Sequence, residues 1–302
     1  MSQRPRPTTL ALGLGVAVTT ISAAALLIRT SRADAVAIAF WRLTWATAIL
    51  ALPSLGAARR EVPALSPRER WMLLGSGAVL AVHFAAWITS FASSSRWATS
   101  VAASATLVVT HPALVALATP WLFGEPVPRR ARWGIGLSLL GAAVIALGDA
   151  SSQGRNALVG DLLALLGAAA GAGYFLLGAR LRSRLSLRAY VLPVYGVAAA
   201  VLAALGLASG ARLGVTDPRE HLLFLALAAG PMVVGHGLLN WSLAYLPAWA
   251  VSTTILAEPV ASSLLVLAVR GERPPWSAVA GALPVLAGLF LIAGAARTKE
   301  PS

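Results

Sequence analysis

Apolar runs of about twenty residues recur along this 302-residue chain, separated by short segments that collect its charges. A helix of that length spans the ~30 Å of hydrocarbon in a bilayer. The runs fall at about 9–28, 35–57, 71–92, 97–122, 131–149, 159–179, 187–209, 221–244, 247–269 and 276–295. With 58% hydrophobic and 12% charged residues, the chain has no polar shell with which to fold in water. No period-2 alternation recurs at ~10-residue spacing, which argues against a membrane β-barrel. The first run, behind Arg4 and Arg6, has some look of a signal peptide. Its length, and the nine runs after it, instead predict a retained first span.

The two halves repeat. Ser104 to Pro128 is a weaker copy of the stretch from Gly235 to Pro275. His111-Pro112 stands where Glu258-Pro259 stands, and Gly124-Glu125 matches Gly271-Glu272. The spacing from Pro to Glu is 13 residues in both copies, and Pro128/Pro275, Gly134/Gly281 and Gly141/Gly288 continue at the same offset. Duplication explains this better than chance and predicts repeats over residues 9–149 and 159–296.

The arginines orient the chain. With the N-terminus inside, the inner segments hold 15 basic residues (Arg4, Arg6, Arg59, Arg60, Arg68, Arg70, Arg129, Arg130, Arg132, Arg180, Arg182, Arg184, Arg188, Arg297 and Lys299). The outer segments hold 8: Arg29, Arg32, Arg96, Arg155, Arg212, Arg219, Arg270 and Arg273. That bias predicts both termini in the cytoplasm of a cell (inner) membrane protein. Five spans per half is an odd number, so the second half must insert upside down. The expected fold is an all-α integral membrane protein of ten transmembrane helices, arranged as two inverted five-helix repeats. Transporters of this architecture hold their substrate near the midplane between the repeats.

The net charge of +13 is spread over helix ends and does not read as a nucleic-acid surface. The absence of cysteine removes disulfides, thiol catalysis and Cys-ligated metals. Neither a His-Glu-x-x-His, a Gly-x-Ser-x-Gly nor a phosphate-cradling loop is present. An intramembrane enzyme and an ATP-driven pump are therefore disfavoured, and no cofactor or metal is expected.

These features together resemble the EamA-type permeases of the drug/metabolite transporter superfamily over essentially the whole chain. The resemblance rests on the two repeats, each with a central Pro and a Gly-Glu before its last helix. It rests also on Phe40-Trp41-Arg42-Leu43, His83-Phe84-Ala85-Ala86-Trp87-Ile88-Thr89-Ser90, Thr110-His111-Pro112, Gly235-His236 with Asn240-Trp241, and Ala257-Glu258-Pro259. It implies export or exchange of small metabolites, amino acids or drugs without ATP. One departure is visible. His83 to Pro112 spans 29 residues and His236 to Pro259 spans 23, with the extra residues in the Phe91–Arg96 region. The repeat therefore leaves open the register of the third helix against the eighth, and with it whether His83 and His236 are symmetry mates.

Glu258, midway along the ninth run, is the first candidate for transport. A carboxylate at the bilayer centre costs about 3 kcal/mol on insertion scales and must face a partner or a wet cavity. It is a candidate for proton coupling, or else fixes helix packing beside Pro259. His111, its repeat equivalent, could exchange a proton or bond a substrate. Alternatively its ring bonds a backbone carbonyl freed by Pro112. Both prolines remove helix hydrogen bonds; the carbonyls they leave could line a cavity, or the prolines only kink their helices.

Arg42 lies about 10 Å into the second span at 1.5 Å per residue. It could snorkel to the outer interface, pair with Glu258 or bind an anionic substrate group. His83, Trp87, His236, Asn240 and Trp241 suit an amphipathic pocket or ordinary packing equally. Gly124 and Gly271 read as helix caps, with Glu125 and Glu272 opening the next helix. The partners expected are the lipid bilayer and a small-molecule substrate; the oligomeric state is not legible. A flippase for lipids or lipid-linked molecules is the alternative within the same fold.

Overall fold

The computed structural model describes residues 5–99, 101–147, 157–270 and 276–296. Gly271, Glu272, Pro275, and the charged residues Arg4, Arg155, Arg273, Arg297 and Lys299 lie outside them. The described residues form helices and connecting turns, with no strand among them. Their order is α1 (Pro7–Thr30), α2 (Ala35–Glu61), α3 (Pro67–Phe91), α4a (Val101–Val108), α4b (His111–Phe123), α5 (Arg129–Leu147) and α6 (Ala157–Arg182). Then come α7 (Leu187–Ser209), α8 (Pro218–Ser242), α9a (Ala248–Thr253), α9b (Glu258–Arg270) and α10 (Trp276–Ala296). Six stretches among the described residues are long and apolar enough to cross a membrane, namely α1, α2, α3, α6, α7 and α8.

Local chemistry sets the boundaries. Ser66-Pro67-Arg68-Glu69 opens α3 with a capping box: Glu69 N–H donates to Ser66 Oγ (3.3 Å), and Ser66 N–H to Glu69 Oε2 (2.9 Å). Gly124 ends α4b in the left-handed region (φ 67°), where a Cβ would be strained. The fourth segment begins four residues later than the hydropathy suggests. Thr99 N–H donates to Ser90 O (2.7 Å) and Trp97 N–H to Ser95 Oγ (3.1 Å), which holds 92–99 in turns.

Two helices break where the repeated motifs stand. α4 is interrupted at Val109-Thr110 and restarts at His111-Pro112. The ninth tightens into a 3₁₀ turn over Thr254–Ala257, after which α9b starts at Glu258-Pro259. Proline has no N–H to donate backwards, so it fits the start of a helix at no cost, whereas inside one, as at Pro53 and Pro193, it removes a hydrogen bond. A third irregularity has no counterpart in the hydropathy. Ala228–His236 of α8 is π-helical, around Pro231. There one extra residue per turn re-aims the side chains that follow, as is frequent at functional sites.

Packing joins the two halves. α5 lies along α10, α2 along α7 and α3 along α6, and α1 lies against α8 and the ninth helix. A Cβ at Gly134 would sit 2.6 Å from Gly288 O, and one at Gly141 would sit 2.5 Å from Gly281 O. Between them, Ser138 Oγ donates to Val285 O (3.2 Å). The order of the contacts makes α5 and α10 antiparallel. Close approach of backbones is how helices associate in lipid, where burial of apolar surface supplies no drive. Gly136, on the same helix, has open space beside it.

α2 and α7 are joined at both ends. Asp34 Oδ2 accepts from Arg212 N–H (2.7 Å), and Glu61 Oε2 accepts from Ser186 N–H (2.6 Å). Buried Glu220, at the start of α8, accepts from Ser31 Oγ (2.5 Å) and Arg32 N–H (2.9 Å) and ties down the turn between α1 and α2. Trp71, Trp121, Trp133 and Trp276 are exposed near helix ends, as an interfacial belt requires. Trp41 sits deeper because its Nε1–H donates to Leu213 O (2.8 Å).

Candidate functional site

The broken helices and the π-helical segment meet at one narrow cavity inside the bundle. Arg42, His83, Trp87, His111, His236 and Glu258 all line it, together with Phe84, Tyr174, Phe175, Gly171, Ile21 and Ile255. Its volume is about 30 Å³, room for one or two waters. Six of the eight side chains singled out in the sequence thus converge from α2, α3, α4b, α8 and α9b.

His111 opens α4b and is buried. Its Nδ1–H donates to Val108 O (3.0 Å), the carbonyl for which Pro112 has no N–H. Its ring stacks on Phe175 at 5.4 Å between centroids and 13° between planes. Nε2 is then the acceptor nitrogen of the neutral ring, and it has no partner within the protein. The two readings of this residue are therefore compatible. One nitrogen repairs the helix break, and the other is free to meet a ligand.

His83 is arranged the same way. Its Nδ1–H donates to Gly167 O (2.7 Å), and its ring stacks on Trp87 at 6.1 Å. The bond requires α6 to come close. A Cβ at Gly171 would lie 2.9 Å from His83 Nδ1, and one at Gly167 would lie 3.3 Å from Trp87 Cβ. His236, at the end of the π-helical segment, packs edge-on to Phe84 at 5.4 Å. His83 and His236 thus face one cavity, although their sequence spacings differ.

Arg42 does not snorkel. It is fully buried, with Cζ 4.0 Å from the centroid of the Phe84 ring, a cation–π contact worth roughly 0.5–2 kcal/mol. Its Nε, Nη1 and Nη2 have no hydrogen-bond partner within the protein. Glu258, 6% exposed, lines the same cavity without bonding to it. The backbone of Glu258 is held against α1. Ser22 Oγ donates to Val18 O (2.8 Å) and lies 3.5 Å from Glu258 O, while Ser262 Oγ donates to Ser22 O (3.3 Å).

Asn240 and Trp241 are not in the lining. Asn240 stands just behind it, buried, with Nδ2 donating to Tyr174 Oη (2.6 Å) and its backbone oxygen accepting from Arg182 Nε (2.9 Å). Trp241, the next residue, points about 100° away around the helix and packs against Gly13 and Tyr245. Tyr174 and Phe175 were missed in the sequence. The one available signal was an aromatic pair directly after the glycine-rich run Gly171-Ala172-Gly173. Among the described residues, no group of three or more His, Asp or Glu side chains could hold a metal ion.

Bilayer-length apolar helices enclosing a cavity of charged and aromatic groups make this a multi-pass membrane protein. Residues 158–294 match the family model of the EamA-like transporter family. Over that segment, a little under half of its length, the chain is similar to the EamA-like transporter family. No curated protein matches it in sequence. Among solved structures, one described as the crystal structure of a protein superposes with a TM-score of 0.77. That similarity covers 97% of this chain and 100% of the other at 17% identity, and it shows the fold alone.

Proposed function

We propose that the chain is a secondary transporter. It exports or exchanges small metabolites, amino acids or drugs across the cytoplasmic membrane by alternating access, with Glu258 as the proton-coupling group. The observation that carries this reading is the pair of helix breaks. His111 and Glu258 occupy equivalent places in the two repeats, each starts a half-helix, and both side chains line one cavity. Broken helices at a midplane cavity leave backbone groups and helix ends available to a solute.

Two five-helix repeats of opposite orientation are supported by the contacts of α5 and α10. Gly134 and Gly281 are repeat equivalents, as are Gly141 and Gly288, yet Gly134 meets Gly288 and Gly141 meets Gly281. A two-fold axis between the helices produces that exchange. Cytoplasmic termini are supported by the arginine distribution. A cavity for one or two waters does not hold a metabolite, so loading requires the surrounding helices to part.

Counterflow in proteoliposomes tests the reading. Preloaded solute should drive uptake of the labelled solute without chemical change and without ATP. A modified product would instead identify an enzyme. No exchange of any solute found in a growth or efflux screen, by protein that is folded, would refute transport.

A further inference from the structure

Arg42 is a buried cation with no hydrogen-bonded partner, although the Glu258 carboxyl lines the same cavity without bonding to it. It is 0% exposed, lines the cavity, and none of its three guanidinium nitrogens meets an acceptor. Burying an unpaired charge is costly, and a hydrophobic residue of similar size would fit the same place at lower cost. The Phe84 ring 4.0 Å away covers the guanidinium but offers no oxygen to its N–H fork. A planar fork of this kind matches a carboxylate with two parallel hydrogen bonds, which a point charge cannot do.

The rest of the cavity agrees with such a guest. Phe84, Trp87 and Phe175 give it aromatic walls. Trp87 Nε1–H, also unpartnered, is a second donor for a carboxylate, whereas His111 Nε2 is an acceptor, because Nδ1 spends its hydrogen on Val108 O, and suits a donor elsewhere on the guest. An organic cation entering this space would face Arg42 at close range, with the single carboxylate of Glu258 to balance both charges.

We propose that Arg42 anchors the carboxylate of a small amphipathic substrate whose apolar part lies against Phe84, Trp87 and Phe175. The proposal deepens the transport reading and rests on it for how the ligand comes and goes.

The test uses the full chain in lipid nanodiscs and three probes that share one ring: 3-phenylpropionate, phenylalanine and phenethylamine. Calorimetric titration should show the wild type binding at least one of the two carboxylates and not the amine. Tighter binding of phenylalanine would identify a zwitterion as the guest, and tighter binding of 3-phenylpropionate a plain carboxylic acid. Arg42→Met should lower carboxylate affinity about 10- to 100-fold, the range for a charge-assisted hydrogen-bonded pair. It should also unfold at the same or a higher temperature, which a merely structural arginine would not allow. Arg42→Lys, which keeps the charge and loses the fork, should fall in between and carries the test if the methionine variant does not fold.

Equal binding of phenethylamine, full carboxylate affinity in both variants, or no binding of any probe by folded wild type would each overturn the proposal. Counterflow separates the two readings. Movement of phenethylamine alone would leave transport standing and remove the anchor. Carboxylate binding with no counterflow of any probe would do the reverse.

Discussion

Gly141 of α5 and Gly281 of α10 touch backbone to backbone, so that a Cβ at 141 would lie 2.5 Å from the carbonyl oxygen of 281. Gly141→Ala must push the helices apart or bend one of them, a cost of about 1–3 kcal/mol for overpacking. Thermal unfolding in detergent should show that loss for Gly141→Ala and for Gly134→Ala. Gly136→Ala, on the same helix with open space beside it, should leave stability unchanged or raise it slightly. Equal losses at all three positions would mean that helix propensity, and not the contact, is being measured.

Glu258 shares its cavity with Arg42, His83, His111 and His236. If its carboxyl exchanges the coupling proton, Glu258→Gln fixes that group neutral. Counterflow between equal solute pools, which needs no net proton movement, should persist, while uptake driven by an imposed pH gradient should vanish. Gradient-driven uptake that survives in the glutamine variant assigns coupling to another group.

Tyr174 holds Asn240 in place through a 2.6 Å bond from the amide nitrogen, and Asn240 Oδ1 already lacks a partner. Tyr174→Phe therefore takes the 2.6 Å bond from a buried amide, which costs about 1–3 kcal/mol. A lowered unfolding temperature checks this, and Asn240→Leu combined with Tyr174→Phe should recover part of the loss. A single variant as stable as the wild type would show that the bond contributes nothing net.

The chain contains no cysteine, so single-cysteine variants report their own position without background. Arg129→Cys and Arg212→Cys should react with membrane-impermeant maleimide from opposite faces of the membrane, Arg129 from the cytoplasm. Labelling from one face would contradict the proposed orientation of the halves.

Much of the fold was legible because a bilayer dictates helix length. Runs of apolar residues gave the helices to within a few residues, except at 97–99, where Ser90 and Ser95 capture the backbone of Thr99 and Trp97 in a turn. Pro112 and Pro259 marked the broken helices, although they read as kinks, not as new starts. The π-helical turn at Ala228–His236 could not be foreseen, since an extra residue in an apolar run leaves hydropathy unchanged. In the site, charge and ring chemistry singled out Arg42, Glu258 and the three histidines, because such groups are expensive in lipid and must turn inward. For Trp241 the choice between pocket and packing stayed open for the opposite reason. An indole is cheap anywhere near a membrane, so its helical phase decides where it points, and phase is not visible until the neighbours are placed.

Hydrogen bonds at Asp34 and at Glu61 tie α2 to α7 at opposite tips of the pair. Held so, neither helix can slip lengthwise past the other by even one residue without losing both ties. The pair behaves as a stave of fixed length running through the molecule. The interrupted elements reach the same cavity as Arg42 of α2 from the other side, through His111, Ile255, Glu258 and His236.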